Sequence, residues 1–164
     1  MKYAAKITLM VFLLSFFYLR SAFTQTVGVA ELVDQIKQST EVQGAELIGQ
    51  YKGKKLSGGG VVLDVKQYNA FDERTVKNQA YYEVITEVQK TAQGNPYQVV
   101  FFYKNKDDAA GINKEQKLNQ KGIVLKIFDT RLWVAVWLYQ GEYGPEEEVM
   151  FQESRQLPEI PKIN

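Results

Sequence analysis

The sequence predicts a mainly β domain, a small barrel of five strands preceded by one amphipathic helix. Three observations support it: apolar residues repeat at helical spacing near the start, runs rich in β-branched and aromatic residues follow, and turn signals separate those runs. The 164-residue chain is divided into residues 1–24, a helical segment 25–50, the barrel 51–140 and an acidic, proline-containing tail 141–164. By content the class is α+β, and we expect the tail to end in a loosely ordered segment.

Residues 1–24 are expected to be a cleavable signal peptide. Lys2 and Lys6 precede an apolar run of 13 residues, Ile7–Leu19, and small residues follow it. As a helix this run reaches only about 20 Å, less than the roughly 30 Å hydrocarbon core of a bilayer. We therefore expect a periplasmic or secreted domain with no membrane span after cleavage. Arg20 at the end of the run leaves an uncleaved anchor as the alternative.

The composition of the remaining chain argues against most kinds of enzyme. It has no cysteine and no histidine, so the usual nucleophile, metal ligand and general base near neutral pH are missing. Removing residues 1–24 takes away three basic residues, which leaves 17 basic and 19 acidic ones and a net charge of −2. Because affinity for nucleic acid depends largely on neutralising phosphates, we do not expect a nucleic-acid partner. We expect no catalytic residues, no metal and no cofactor.

The predicted elements follow one another in a recognisable order. Apolar residues at three- and four-residue steps predict a helix over residues 29–51, with Gly44 as the point where it breaks or bends. A short helix is predicted within Asp107–Glu115, and five strands at Lys54–Gln67, Tyr81–Val88, Tyr97–Tyr103, Lys117–Phe128 and Leu132–Gln140. Three strands, a short helix, a bent strand and a last strand after a tight turn give the element order of the oligonucleotide/oligosaccharide-binding (OB) fold.

Two of these strands share a pattern. Residues 55–65 read KLSGGGVVLDV and residues 117–127 read KLNQKGIVLKI, so lysine, leucine, glycine, valine and leucine coincide at an offset of 62. We predict that both strands bend sharply at the shared glycine, Gly60 in one and Gly122 in the other, where a Cβ would be crowded. A small barrel needs such strands to close.

The same residues resemble a known family. Tyr51–Lys54 (YKGK) is similar to the opening of the bacterial tRNA_anti-like OB-fold group, as are the strand positions Leu56, Gly60, Val62 and Val65. Lys117–Ile123 (KLNQKGI) is similar to the second glycine-bearing strand of that group. The resemblance covers about residues 42–140. It implies the OB fold and assigns no site residues.

Aromatic residues and one loop supply the candidate binding residues. Both faces of the last strand are apolar, and one of them carries Trp133, Trp137 and Tyr139. These rings form either a stacking platform for sugars or a peptide, or a face that the 29–51 helix and the acidic tail cover. The loop at residues 68–80, together with the neighbouring aromatic residues, is the expected working surface, since OB barrels place binding contacts in such loops. Its candidate residues are Phe71, Arg74 and Lys77.

These features predict an exported, non-catalytic OB-fold binding module whose partner is a protein, a glycan or a small ligand. The first alternative is a structural or assembly component of the bacterial envelope. The second is binding of single-stranded nucleic acid or oligosaccharide by the barrel face, for which aromatic stacking would be the mechanism. The choice among them depends on which side chains the folded chain exposes.

Overall fold

The computed structural model describes residues 27–68, 81–130, 132–145, 147–148 and 151. The predicted signal peptide at residues 1–24 lies outside these ranges. Among the described residues, no helix is both long enough and apolar enough to cross a membrane.

Two helices precede the barrel, α1 at Val29–Gln38 and α2 at Glu41–Tyr51. The predicted break at Gly44 is wrong in position, because Gly44 lies inside α2 and is buried. The chain divides at Thr40, whose hydroxyl accepts from the Gln43 backbone N–H while the Thr40 N–H donates to the Gln43 side chain. This capping box satisfies two N–H groups at the start of α2, whereas an interior glycine costs a helix only about 1 kcal/mol.

Each predicted strand is present, with bounds shifted by no more than two residues. Helix α3 occupies Lys106–Ala110 and so begins one residue before the segment predicted for it. The strands of the described chain are β1 Lys55–Tyr68, β2 Tyr81–Thr86, β3 Gln89–Lys90, β4 Pro96–Tyr103, β5 Lys117–Asp129 and β6 Val134–Tyr139. The two-residue strand β3 is additional to the five predicted strands and pairs with the start of β4.

The sheet closes on itself. Strand β1 pairs with β2 and β5, β2 with β4, β4 with β6, and β6 with β5, so five strands form a ring. The β4–β6 pair is parallel and the other pairs are antiparallel. Helix α3 connects β4 to β5, the third and fourth strands of the ring. This order is the OB topology, so the predicted fold is confirmed.

The two strands with the shared pattern pair with each other. Residues 55–61 of β1 run antiparallel to residues 117–123 of β5, with Lys55 opposite Ile123 and Val61 opposite Lys117. Because the two segments match at an offset of 62, the pair has approximate local two-fold symmetry. The bulges obey the same relation: the register shifts around Leu63 in β1 and around Leu125 in β5. Beyond each bulge the strands separate, β1 to pair with β2 and β5 with β6.

The predicted crowding at the shared glycines is confirmed. A Cβ on Gly60 would lie 2.9 Å from the Thr86 side chain, on the neighbouring strand β2. A Cβ on Gly122 would lie 2.8 Å from the Cβ of Leu138 and 3.1 Å from the Tyr139 carbonyl oxygen in β6. Both positions therefore require glycine so that the bent strand can approach its neighbour.

Helix α1 shares the core of the barrel. Its inner face is at most 2% exposed and consists of Val29, Leu32, Val33 and Ile36. These residues cluster with inward side chains from all five ring strands, among them Leu56, Val84, Val99, Val124 and Leu138. Asp34 also accepts hydrogen bonds from Thr91 and Asn95 in the β3–β4 turn, and Lys37 pairs with Asp129 at 2.5 Å. Apolar and polar contacts therefore fix α1 to the barrel.

Replacing Gly122 by alanine should destabilise the barrel, whereas the same change at Gly49 should not. The new Cβ at residue 122 meets atoms of β6 that cannot move freely, and overpacking of this kind costs about 1–3 kcal/mol. Gly49 in α2 has nothing within 4 Å of a built Cβ, so Gly49→Ala should stabilise by about 0.5–1 kcal/mol through helix propensity. Urea unfolding of both variants provides the test. Equal free energies of unfolding would contradict this account of the bend.

Candidate functional site

The rings predicted to form a stacking platform are buried. Trp133 is 3% exposed, and Trp137 and Tyr139 are 2% exposed. Trp137 and Tyr139 belong to an aromatic cluster on the outer side of the barrel, opposite the core that α1 shares. An exposed platform at these three residues is therefore wrong for the described structure.

The residue that covers this aromatic cluster is Phe151. Residues 141–145, 147–148 and 151, here called the C-terminal segment, return across the outer face of the barrel, and Phe151 is 2% exposed. Its ring lies 5.1–6.5 Å, centroid to centroid, from the rings of Phe102, Tyr81, Tyr68, Trp137 and Tyr139. Such edge-on and tilted aromatic contacts add to the apolar area that is buried.

Glu147 holds the same segment by polar contacts. Its carboxylate accepts from the Lys104 ammonium at 3.1 Å, the Tyr81 hydroxyl at 3.4 Å and the Gly144 backbone N–H at 3.0 Å. Burial acts to raise the pKa of the Glu147 carboxyl, but the bond from Lys104 and the backbone N–H bonds outweigh it, so the pKa lies below the usual 4.5. Burial also raises the pKa of the Tyr139 phenol to about 12, which keeps it neutral. Glu147 is therefore held as a carboxylate.

The outer face of the last strand is covered by the C-terminal segment and not by the helices. Coverage by the acidic tail is confirmed through Glu147 and Phe151. The expected loosely ordered end of the tail lies outside the described residues. Coverage of the outer face by the 29–51 helix is not observed, because α1 packs on the inner core instead. The Trp137 indole N–H is buried without a hydrogen-bond partner among the described residues.

The predicted loop residues Phe71, Arg74 and Lys77 lie outside the described residues. Tyr68 and Tyr81, the described residues on either side of that loop, pair with each other at the ends of β1 and β2. Both rings belong to the aromatic cluster beneath Phe151.

A second outer surface is polar and basic. On the paired halves of β1 and β5, alternation directs Leu56 and Leu118 into the core and the residues beside them outward. The outward residues include Val61 and Ile123, which lie opposite Lys117 and Lys55. The polar outward residues and one glycine are here called the lysine face: Lys55, Ser57, Gly59, Lys117, Asn119 and Lys121. All three lysines are exposed. Within the described part of the chain, their ammonium groups have no hydrogen bond or ion pair.

The register brings these lysines together from two distant parts of the sequence. Lys121 lies opposite Ser57, which makes it a diagonal neighbour of Lys55 at about 7–8 Å between Cα atoms. Lys117 lies four residues before Lys121 on the same strand, about 13 Å away. The three ammonium groups therefore follow the line of β5.

The basic surface continues past the bulge in β5. Because Leu125 is the extra residue, Lys126 lies opposite Trp137 on the outer side, with its ammonium 5.0 Å from the centre of the Phe128 ring. Burial and the nearby positive charge of Lys52 lower the pKa of Lys126. Lys52 in turn pairs with Glu148 of the C-terminal segment at 3.6 Å.

Sequence reasoning missed the lysine face because it weighed the net charge of the whole chain. The available signal was the repeated pattern, in which Lys55 and Lys117 occupy equivalent positions. Pairing of the two segments places these lysines at opposite ends of one face. Alternation within β5 then adds Asn119 and Lys121 to the same side.

The described acidic residues do not form a metal site. No group of three or more carboxylates within the described ranges is close enough to hold a metal ion. Asp64 forms an ion pair with Lys114 at 2.9 Å, and this bond, against the effect of burial, lowers the pKa of the Asp64 carboxyl. Glu83 lies 3.6 Å from Lys66. These carboxylates are therefore engaged in ion pairs.

Solved structures that are similar to this chain include one bacterial lipoprotein. No family model and no curated protein matches the chain. Among solved structures, it is similar to a candidate nucleic acid-binding lipoprotein from Klebsiella pneumoniae subsp. pneumoniae MGH 78578, with 17% identity and a TM-score of 0.47. The match covers 72% of this chain and 91% of the other. The OB topology described above is assigned from the strand pairings, and the resemblance to the tRNA_anti-like group stays a prediction.

Phe151→Ala should uncover the aromatic cluster. Replacing a core phenylalanine by alanine costs about 3–5 kcal/mol, and a segment that can detach limits the loss, so we expect about 3 kcal/mol. Tryptophan emission should shift to longer wavelength as water reaches Trp137. Leu132→Ala is the control, because Leu132 is 66% exposed and its loss should change the free energy of unfolding by less than about 0.5 kcal/mol. An unchanged unfolding curve for Phe151→Ala would show that the ring does not stabilise the fold.

The contribution of Glu147 should fade in acid. Because the folded pKa is lowered, the stabilisation is complete above the usual value of 4.5 and is lost as the pH falls through the lower folded value. A tryptophan emission titration of the parent should therefore show a step below pH 4.5. Glu147→Gln should lack that step and should lower stability at neutral pH. Superimposable titrations of the two proteins would contradict the assigned role.

Proposed function

We propose that the chain is an exported, non-catalytic OB-fold binding module whose working surface is the lysine face. The observation that carries the proposal is the placement of three exposed lysines on paired, rigid strands. Within the described residues these lysines serve no structural ion pair. Exposed charge that stabilises nothing in the fold is available to a ligand.

The remaining surfaces support the same choice. The barrel interior is filled by its own side chains and by α1, and Phe151 fills the outer aromatic cluster. No side chain in the described ranges covers the lysines of the lysine face, which are exposed. Its backbone is fixed by the β1–β5 ladder over residues 55–61 and 117–123, so ordering it costs a ligand little free energy.

Export is the part of the proposal that rests on the sequence pattern of residues 1–24. Lys2 and Lys6, a short apolar run and small residues after it are typical of a secretory signal. A module that acts outside the cytoplasm would meet envelope polymers and envelope proteins, and the lysine face would select anionic ones.

Capture from envelope extract tests the working surface. The immobilised domain, residues 25–164, is compared with Lys55→Gln/Lys121→Gln and with the matched control Lys90→Gln/Lys106→Gln, which also removes two exposed positive charges. We expect the first variant to lose most of the captured material and the control to retain it, because only the first pair lies on the lysine face. Mass spectrometry of proteins and glycans identifies what is captured.

Two results would count against this function. Equal capture by both double variants would show that the lysine face is not the working surface. No capture by a well-folded parent domain would contradict a binding role toward envelope components. Circular dichroism confirms that each variant is folded before the comparison is made.

A further inference from the structure

The lysine face suits a ligand that is both extended and negatively charged. Its ammonium groups follow β5 from Lys117 to Lys121, roughly 13 Å at the usual rise of a strand, and Lys55 extends the row from the neighbouring strand β1. A compact anion would contact only one or two of these groups. A linear chain lying along β5 would contact all of them in turn.

Hydrogen-bonding groups lie between the charges. Ser57 sits opposite Lys121, and Asn119 sits opposite Gly59, which has no side chain. The Ser57 hydroxyl and the Asn119 amide have no partner among the described residues, and both point outward. They can donate to and accept from hydroxyl groups on a bound polymer. A Cβ on Gly59 would overlap the Leu118 carbonyl oxygen, so glycine at this position serves the close β1–β5 pairing.

We propose that this face binds a linear anionic polysaccharide, an inference that rests on the function proposed above. Carboxylate, sulfate or phosphate groups along the glycan would pair with the lysines. Sugar hydroxyls would bond to Ser57 and Asn119. Among the described residues, the ammonium groups of Lys55, Lys117 and Lys121 and the polar groups of Ser57 and Asn119 have no other side-chain partner.

The absence of rings from this face distinguishes a glycan from single-stranded nucleic acid. Proteins that bind single strands combine a basic groove with aromatic side chains on which the bases stack. None of the six residues of the lysine face is aromatic, and the described tryptophans are buried. A nucleic acid would therefore gain phosphate contacts here but no stacking.

Two acidic residues limit the site at one end. The backbone N–H of Glu87 donates to the Val61 carbonyl, and that of Glu115 donates to the Val62 carbonyl. Both side chains are exposed beside the position where Lys117 begins β5. A bound polyanion would extend from Lys117 toward Lys126 and away from these carboxylates.

Calorimetric titration with decagalacturonate, a linear oligosaccharide with one carboxylate per sugar, tests the proposal. We expect binding that weakens with salt. Lys55→Gln/Lys121→Gln should weaken binding at low salt by at least about tenfold and reduce the salt slope by about two, while Lys90→Gln/Lys106→Gln changes neither. Ser57→Ala/Asn119→Ala should weaken binding without changing the salt slope, because it removes hydrogen bonds and no charge.

The competing ligands give distinguishable outcomes. Tighter binding of an oligodeoxythymidine with the same number of charges would overturn the glycan in favour of nucleic acid. No binding of decagalacturonate, with envelope capture still dependent on Lys55 and Lys121, would overturn the ligand class and leave the proposed function standing. Decagalacturonate binding that both double lysine variants retain would place the glycan elsewhere on the protein and contradict the site.

Discussion

The structure depends on two strands that bend together. β1 and β5 pair over residues 55–61 and 117–123 and then separate at bulges around Leu63 and Leu125. Each strand thereby pairs with two neighbours, which is how five strands can form a closed ring. Glycine at residues 60 and 122 lets the strands approach their neighbours at these bends. The sequence pattern occurs in both strands because each strand must bend in the same way for the barrel to close.

The same bends divide the outer surface into two kinds. Before the bulges, most outward positions are lysine, serine, asparagine and glycine, with Val61 and Ile123 at the ends. After the bulge in β5, the outward positions join the aromatic cluster around Trp137. An apolar face of this size is a liability if water reaches it, so the fold needs a cover. Phe151 supplies the cover, and the ion pair of Glu147 with Lys104 fixes it.

Much of this fold could be predicted from local patterns. Alternation and β-branched residues located the strands, and the order of elements gave the OB topology, because both depend on near neighbours in the sequence. The helix break was misplaced because Thr40 and Gln43 form a capping box that starts a new helix, whereas Gly44 is tolerated inside that helix. The burial of Trp137 could not be predicted from the sequence, because Phe151 covers it and only the tertiary fold brings the two residues together.

The candidate site was harder to predict from the sequence than the strands, because it too depends on contacts that only the tertiary fold creates. Lys55 and Lys121 are far apart in the sequence, and their joint surface exists only through the β1–β5 register. The chain after residues 1–24 has a net charge of −2, so its composition does not reveal such a basic surface. The charges become significant when the fold separates them from the carboxylates. The net charge argues against a protein that binds polyanions over its whole surface. It carries no information about a single basic face.

The central claim is that the outer face of the β1–β5 pair is where this protein binds. Backbone amide NMR during a decagalacturonate titration tests it most directly. The account predicts that the largest shift changes occur at residues 55–59 and 117–121, with amides around Phe102 and Tyr139 unchanged. Shift changes concentrated around Phe102, Tyr139 and Phe151 would contradict it, because they would place binding on the aromatic cluster.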